Sequence, residues 1–445
     1  MRNSVLKKAG MAIAGLVGGS FAVPAFAQEA AETAAPVVDK GDTAFIMVCT
    51  ILVLMMIVPG LALFYGGLVR TKNMLSVLTQ TLSVAAVAMI MWVCVGYSFA
   101  FTDGSAFFGS ADKLFLAGVS KETLADTFSD GFKIPEYVFI SFQMTFAAIT
   151  AALIIGGLAE RMKFSAMLMF TVIWSLIVYY PIAHMVWWGG GLLFEMGALD
   201  FAGGTVVHIN AGVSALVGAL LVGKRIGYQK DVMAPHSLTM TLVGAGLLWV
   251  GWFGFNAGSA LEANGDAALA MINTFVATAA AILAWMVAEK VAGHKPSLLG
   301  AASGAISGLV AITPAAGNSG PMGAIILGAL ASVICFWFVT VLKPKIGLDD
   351  SLDAFGIHGI GGIIGSIGTG IVYSASLGGP GGADYDMGSG LWVQTVATLI
   401  AITWAAVGST IAFTIVKYTV GLRVSEDVER EGLDLGEHGE RAYNY

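Results

Sequence analysis

Two histidines stand in stretches where histidine is costly. His208 lies within Asp200–Arg225, which reads DFAGGTVVHINAGVSALVGALLVGKR, and His358 lies within Asp353–Gly365, DAFGIHGIGGIIG. No residue from Gly203 to Gly223 is charged, so this is a membrane-spanning helix by length and polarity. An ionisable side chain inside such a helix faces a bundle interior or a pathway and marks a functional position by default. A lone histidine there is more often a satisfied core residue. Two of them, one in the last helix of each half of the chain, read instead as a functional pair. No Cys, His or carboxylate completes a metal shell beside either, so neither metal nor cofactor is expected. No nucleophile motif points to an enzyme. Neutral imidazoles accept and donate hydrogen bonds and relay protons near neutral pH, which suits a small, polar, hydrogen-bonding solute. Of the other histidines, His184 reads as a packed or capping residue, His236 and His294 lie in loops, and His438 is in the tail.

Aromatic residues give a second set. Phe142 and Phe146 are four apart and share a helix face. Trp187 and Trp188 precede three glycines, Trp252, Phe253 and Phe255 share one apolar run, and Ser259 lies one turn beyond Phe255. Core packing with an interfacial aromatic belt explains them. So does a weak cation site made of ring faces and a hydroxyl. Such a site needs no carboxylate and would suit a small monovalent cation that must later lose its charge.

The elements that position these residues are membrane helices. The chain has 445 residues, 57% hydrophobic and 11% charged, against about 25% charged in soluble domains. The fold class is therefore an all-α polytopic membrane protein. Eleven apolar runs are read at roughly 44–69, 74–101, 137–159, 164–188, 203–223, 237–261, 267–288, 297–314, 322–342, 354–373 and 391–416. Arg70 and Lys72, Arg161 and Lys163, Lys224, Arg225 and Lys230, Lys290 and Lys295, Lys343 and Lys345, and Lys417 and Arg423 follow the odd-numbered runs. The connections after runs 4, 6, 8 and 10 contain no Lys or Arg, and acids outweigh Lys113, Lys121 and Lys133 after run 2. The positive-inside rule then puts the N-terminus outside and the C-terminus inside.

Runs 1–5 and 6–10 form a five-plus-five inverted repeat, with a final helix added. Such repeats hold their site near the midplane, between the halves. His208 and His358 each lie only a few residues into a helix, and the two helices start from opposite sides. At about 1.5 Å per residue they meet only if both helices begin deep, below vestibules. Asp200 and Asp353 are the candidates to cap those buried N-termini. The 58 glycines suit close helix packing in lipid. Cys49, Cys94 and Cys335 read as packing residues.

Met1–Ala27 reads as a signal peptide, with Arg2, Lys7 and Lys8, a short apolar core and Ala25-Phe26-Ala27 as the cleavage site. A short exported N-terminus follows at 28–42. The membrane domain spans 43–420, with halves at about 44–223 and 237–373, and a tail occupies 421–445.

From Thr43 to Tyr445 the chain resembles the ammonium transporters, the bacterial branch of the ammonium transporter/Rhesus glycoprotein superfamily. The motifs are Asp200–Arg225, GWFGFNAGSA at Gly251–Ala260, FQMTFAAITAALIIGGLAER at Phe142–Arg161, DAFGIHGIGGIIG and the tail GLRVSEDVEREGLDLGEHGERAYN. The resemblance implies ammonium as substrate and a homotrimer in the inner (plasma) membrane with one pore per subunit. Phe142, Phe146, Trp188 and Ser259 correspond to the outer ammonium-recruitment site. Phe146 and Phe255 correspond to the stacked rings below it, and His208 and His358 to the twin histidines lining the pore, with Trp252. Asp200 corresponds to a buried supporting acid. Trp188 argues for the ammonium-transporter branch over the Rhesus branch. Gly436 stands where plant relatives have a phosphorylatable threonine. The tail is too short for a signalling domain; by resemblance it packs on the inside face, couples the subunits and lies beside the surface where PII-type nitrogen regulators dock. Nucleic acid is not an expected partner. The reading is electrogenic ammonium uptake. The alternatives are a passive ammonia gas channel and an ammonium sensor signalling through its tail.

Overall fold

The computed structural model describes residues 37–443, which fall in one compact unit. The proposed signal peptide and most of the exported N-terminus lie outside the described residues. Eleven helices are long and apolar enough to cross a membrane: α1 (Lys40–Leu68), α2 (Thr71–Ala100), α3 (Glu136–Leu158), α4 (Phe164–Glu195), α5 (Gly204–Val222), α6 (Leu238–Gly258), α7 (Gly265–Val291), α8 (Leu298–Ala315), α9 (Pro321–Ile346), α10 (Phe355–Val372) and α11 (Met387–Thr419). Each expected run has its helix. Several start at side-chain caps: Asp39, Ser237, Asn264, Ser297 and Asp386 accept amide hydrogen bonds in the first turns of α1, α6, α7, α8 and α11. α4 is interrupted after Trp187 and resumes at Leu192–Glu195.

α3, α5 and α8 are the most buried spans. On the periphery, Leu82, Ile90, Leu283, Val287, Ile326 and Leu399 point outward, an apolar girdle that fits lipid rather than water. Glycine lets the central helices touch. A Cβ at Gly212 of α5 would strike the Gly359 backbone of α10, and one at Gly244 of α6 would strike the Phe64 backbone of α1. The first helices of the two halves thus pair with each other, as do the last helices, the arrangement an inverted repeat requires.

The two ends of the bundle differ. At one, β1 (Val37–Val38) and β2 (Leu124–Asp126) flank β3 (Phe132–Pro135) beside the start of α3. At the other, the basic connections converge. Glu160 bonds Arg70 and Arg225, and Arg225 also grips Asp349 at 2.7 Å. Arg161, fully buried, donates to the carbonyls of Gly157, Gly223 and Asp349 and to the Ser351 hydroxyl. Burial pushes the Glu160 carboxyl up, but the Arg70 hydrogen bond and the charges of Arg225 and Arg70 outweigh it and hold it at about 2. By charge this is the inner face.

Here the tail forms α12 (Glu426–Glu431) and α13 (Leu433–His438). Its acids cap the membrane helices of its own chain. Asp434 accepts from the amides of Leu75 and Ser76 in α2, Glu437 from Phe164 at the start of α4, and Glu429 from Ile226 after α5. Asn73 accepts from the Leu433 amide in return.

Candidate functional site

α5 and α10 begin inside the protein. Gly204–Ile209 and Phe355–Gly359 are both wound as π-helical turns, and both carry a histidine. Such turns recur at functional sites. Asp200 closes the first one, accepting from the amides of Gly203, Gly204, Thr205 and Val206 at 2.6–3.1 Å. The four free amides of a helix start and the positive end of its dipole are thereby met by one carboxylate.

The second helix corrects an expectation. Asp353 does not cap α10. Asp350 does, accepting from Ala354, Phe355 and Gly356 at 2.9–3.0 Å. Asp353 adopts left-handed φ 59 and pairs with Lys343. The reason lies in the register. Asp200 and Asp350 each precede their histidine by eight residues, and Gly203 and Asp353 each follow the capping acid by three. Asp353 therefore occupies the place of Gly203, whose φ is also positive, at 112. The repeated eight-residue spacing was legible in the sequence and identifies the true cap.

With both helices started deep, the histidines meet. Their Nδ1 atoms are 3.2 Å apart and the rings lie 19° from parallel. One Nδ1 must carry the hydrogen and the other accept it, so the two rings hold opposite tautomers. His208 Nε2 is buried with no protein partner. Trp252 stacks on His208 at 5.4 Å and is held by its Nε1 donating to Thr313.

A row of rings leads outward from His208. Phe255 lies 6.0 Å away, Phe146 stacks on Phe255 at 4.3 Å, and Trp187 meets Phe146 edge-on. Sequence reasoning missed Trp187; its indole donates to the Asp200 carbonyl, but nothing in the sequence separates it from its neighbour. Above this row is an outer cavity of about 780 Å³, lined by Trp188, Ser259, Phe139, Phe101 and Gln143 among others. Trp188 and Ser259 are thus placed at the cavity, while Phe142 and Phe146 lie beneath it. Phe142 is fully buried, edge-on to Phe146 and against Gly258. His184 bonds the carbonyls of Ala100 and Ser105, a packing role. On the other side, His358 lines an inner cavity of about 280 Å³ with Asp353, Tyr65 and Thr340.

An eleven-helix protein with a buried polar pair between two opposed cavities is, by class, a multi-pass membrane transport protein. Residues 44–443 match the model of the Ammonium Transporter Family. The chain is 46% identical to the ammonium transporter of Aquifex aeolicus over 97% of this chain and 98% of that one. It is 48% identical to that of Bacillus subtilis over 91% and 98%. Among solved structures it resembles Mep2 of Candida albicans, with a TM-score of 0.79, 33% identity and coverage of 88% and 87%. It also resembles a sensor Amt protein, with a TM-score of 0.81, 25% identity and coverage of 89% and 98%. The chain belongs to the Ammonium Transporter Family.

Proposed function

We propose that this chain takes up ammonium by recruiting the cation outside, deprotonating it, and passing ammonia and the proton separately across the membrane. Trp188 and Ser259 receive the ion from the outer cavity, backed by Phe142 and Phe146. Below them the rings of Phe146 and Phe255 leave no polar partner for an ion, and an uncompensated charge there is prohibitively costly. Ammonia, once neutral, passes the rings and runs along His208 and His358, with Trp252 forming the wall and Asp200 holding the start of α5.

The observation that carries this reading is the Nδ1–Nδ1 contact of 3.2 Å between His208 and His358. A proton added at the bare Nε2 of one ring lets that ring's Nδ1–H pass to its partner. The partner then sheds its Nε2 proton on the far side. One proton enters, one leaves, and the tautomers exchange. The unpartnered Nε2 of His208 is free to take the first proton.

The test is current from the full-length protein in a lipid membrane after an ammonium pulse, with internal pH followed in parallel. A saturable current in the wild type, lost when both histidines are replaced by apolar residues, is the expected result. Flux without current would make the pore a neutral-ammonia channel and retire the relay. A sensor role is the second reading, supported by the docking of the tail on the inner face and by the name of one structural neighbour.

The remaining organisation is part of the same proposal. It comprises a cleaved signal peptide at 1–27, a membrane domain at 43–420, and a regulatory tail at 421–445. The protein is proposed to be a homotrimer in the inner membrane, with a PII-type regulator meeting the basic face.

A further inference from the structure

In the charge pattern Arg161 counts as an ordinary inside-loop cation, yet its side chain is fully buried. A guanidinium carries five N–H donors in a planar fork. Here all five go to uncharged oxygens. Nε donates to the Gly223 carbonyl at 2.7 Å. Nη1 donates to the Ala159 carbonyl at 3.1 Å and to the Ser351 hydroxyl. Nη2 donates to the carbonyls of Gly157 and Asp349 at 3.1 and 2.8 Å. Taking such a charge out of water is costly, and three segments of the chain meet at it.

Gly157 and Ala159 lie at the end of α3, and Gly223 ends α5, the helix that carries His208. Asp349 and Ser351 stand on either side of Asp350, the acid that caps the helix of His358. Arg161 therefore grips the residue before that cap and the residue after it. Two further bonds tie the same loop to α3: the Ser351 hydroxyl donates to the Ala159 carbonyl at 3.2 Å, and the Leu352 amide to the Gly156 carbonyl at 2.9 Å. The two histidine helices touch at Gly212 and Gly359, and at the inner face Arg161 joins them a second time. One point of contact leaves a helix free to pivot; a second fixes how deep α10 starts.

We propose that Arg161 is a positioning residue of the pore: by clamping Asp349 and Ser351 it sets the depth of the Asp350 cap, and with it the alignment of His358 to His208. The consequence for transport rests on the relay reading given above. Lysine is no substitute, since three donors from a single point leave at least two of the five buried oxygens without a partner. The contact it protects has little slack: the Nδ1 atoms are 3.2 Å apart, and a hydrogen bond is lost by about 3.6 Å.

Arg161→Lys and Ser351→Ala in the full-length protein test this with two readouts. The first is amide exchange in detergent. Ala354, Phe355 and Gly356 should exchange roughly tenfold faster in Arg161→Lys, the equivalent of about one lost hydrogen bond, and less so in Ser351→Ala. The amides from Gly203 to Val206, capped by Asp200, should keep the wild-type rate. The second readout is current after an ammonium pulse in lipid vesicles. The maximal current of Arg161→Lys should fall roughly ten- to hundredfold, as for a misplacement of about 1 Å. KM for ammonium should stay within about twofold of wild type, because only a step after binding is disturbed.

Asn264→Ala, which removes the cap of α7, supplies a loss of stability that does not touch this network and should move neither readout. If Arg161→Lys behaves like Asn264→Ala, with a lower unfolding midpoint but unaltered exchange at Ala354–Gly356, the residue is merely structural and the proposal is overturned. Faster exchange there with an unaltered current overturns it as well, since the clamp would then not reach the histidine. Ser351→Ala carries the same outcomes if the lysine variant does not accumulate. A wild type that moves ammonia without current retires the relay reading, and the exchange result alone then decides the clamp.

Discussion

Asp200 and Asp350 hold matching positions: each lies eight residues before a buried histidine, and each carboxylate takes the first amides of the helix that carries it. One enters from the outer side and the other from the inner, so the two caps are related by the inversion that relates the halves. The proximity of His208 and His358 follows from this, because each helix starts at its buried cap and not at the membrane surface from which it enters.

Replacing Asp350 by Ala strands three buried amides. We expect a loss of about 2 kcal/mol of stability together with a collapse of transport. Asp353→Asn removes only the partly exposed pairing with Lys343 and should cost less than about 1 kcal/mol. Thermal unfolding in detergent ranks the two; the opposite order would disprove the assignment of Asp350 as the cap.

Gly212 tests the contact between α5 and α10. A methyl group there meets the backbone of Gly359, which cannot rotate away. Gly212→Ala is expected to destabilise by about 1–3 kcal/mol and to impair uptake by parting the histidines. Gly246, with open space around its α-carbon, serves as the control, and Gly246→Ala should be silent in both assays.

The inner network gives a dependence on pH. Glu160 has its carboxyl held at about 2, against an ordinary value of 4.5. A depressed carboxyl contributes its stability in full above 4.5 and loses it as pH falls toward 2. The shift corresponds to about 3 kcal/mol. Unfolding midpoints of the wild type should therefore drop through that window more steeply than those of Glu160→Gln, which is less stable at neutral pH. Parallel curves for the two proteins would contradict the ion-pair account.

Tail docking is open to measurement in the same way. Asp434→Ala combined with Glu437→Ala removes the acceptors for Leu75, Ser76 and Phe164. Faster amide exchange in α13 and in the first turns of α2 and α4 is expected, with the span centres unchanged. Exchange restricted to α13 would show that the caps are dispensable.

Much of this was legible in the sequence. Long apolar runs and the basic residues behind every second one specify eleven helices, because a spanning segment must satisfy its own backbone. His208, His358, Phe146 and Phe255 were found as types out of place or at helical spacing, and the structure brings them into one row. What the sequence concealed was depth and register. Asp353, nearest to the histidine, drew the capping role, whereas a loop of left-handed backbone gives it to Asp350. Phe142 and Phe146 share a helix face, yet neither opens onto the outer cavity. Trp187 and Trp188 are adjacent and both line the outer cavity, and only three-dimensional packing sets Trp187 also against Phe146.

The acids of the tail have a consequence in time. α2 and α4 precede most of the membrane helices in the chain, and Asp434 and Glu437, which close their inner ends, follow α11 and so are made after every one of them. Until α13 is made, those amides have only water or lipid headgroups for partners. A transcript cut short after α11 would yield all eleven helices and none of these closures, so synthesis through α13 is itself written into the stability of the inner face.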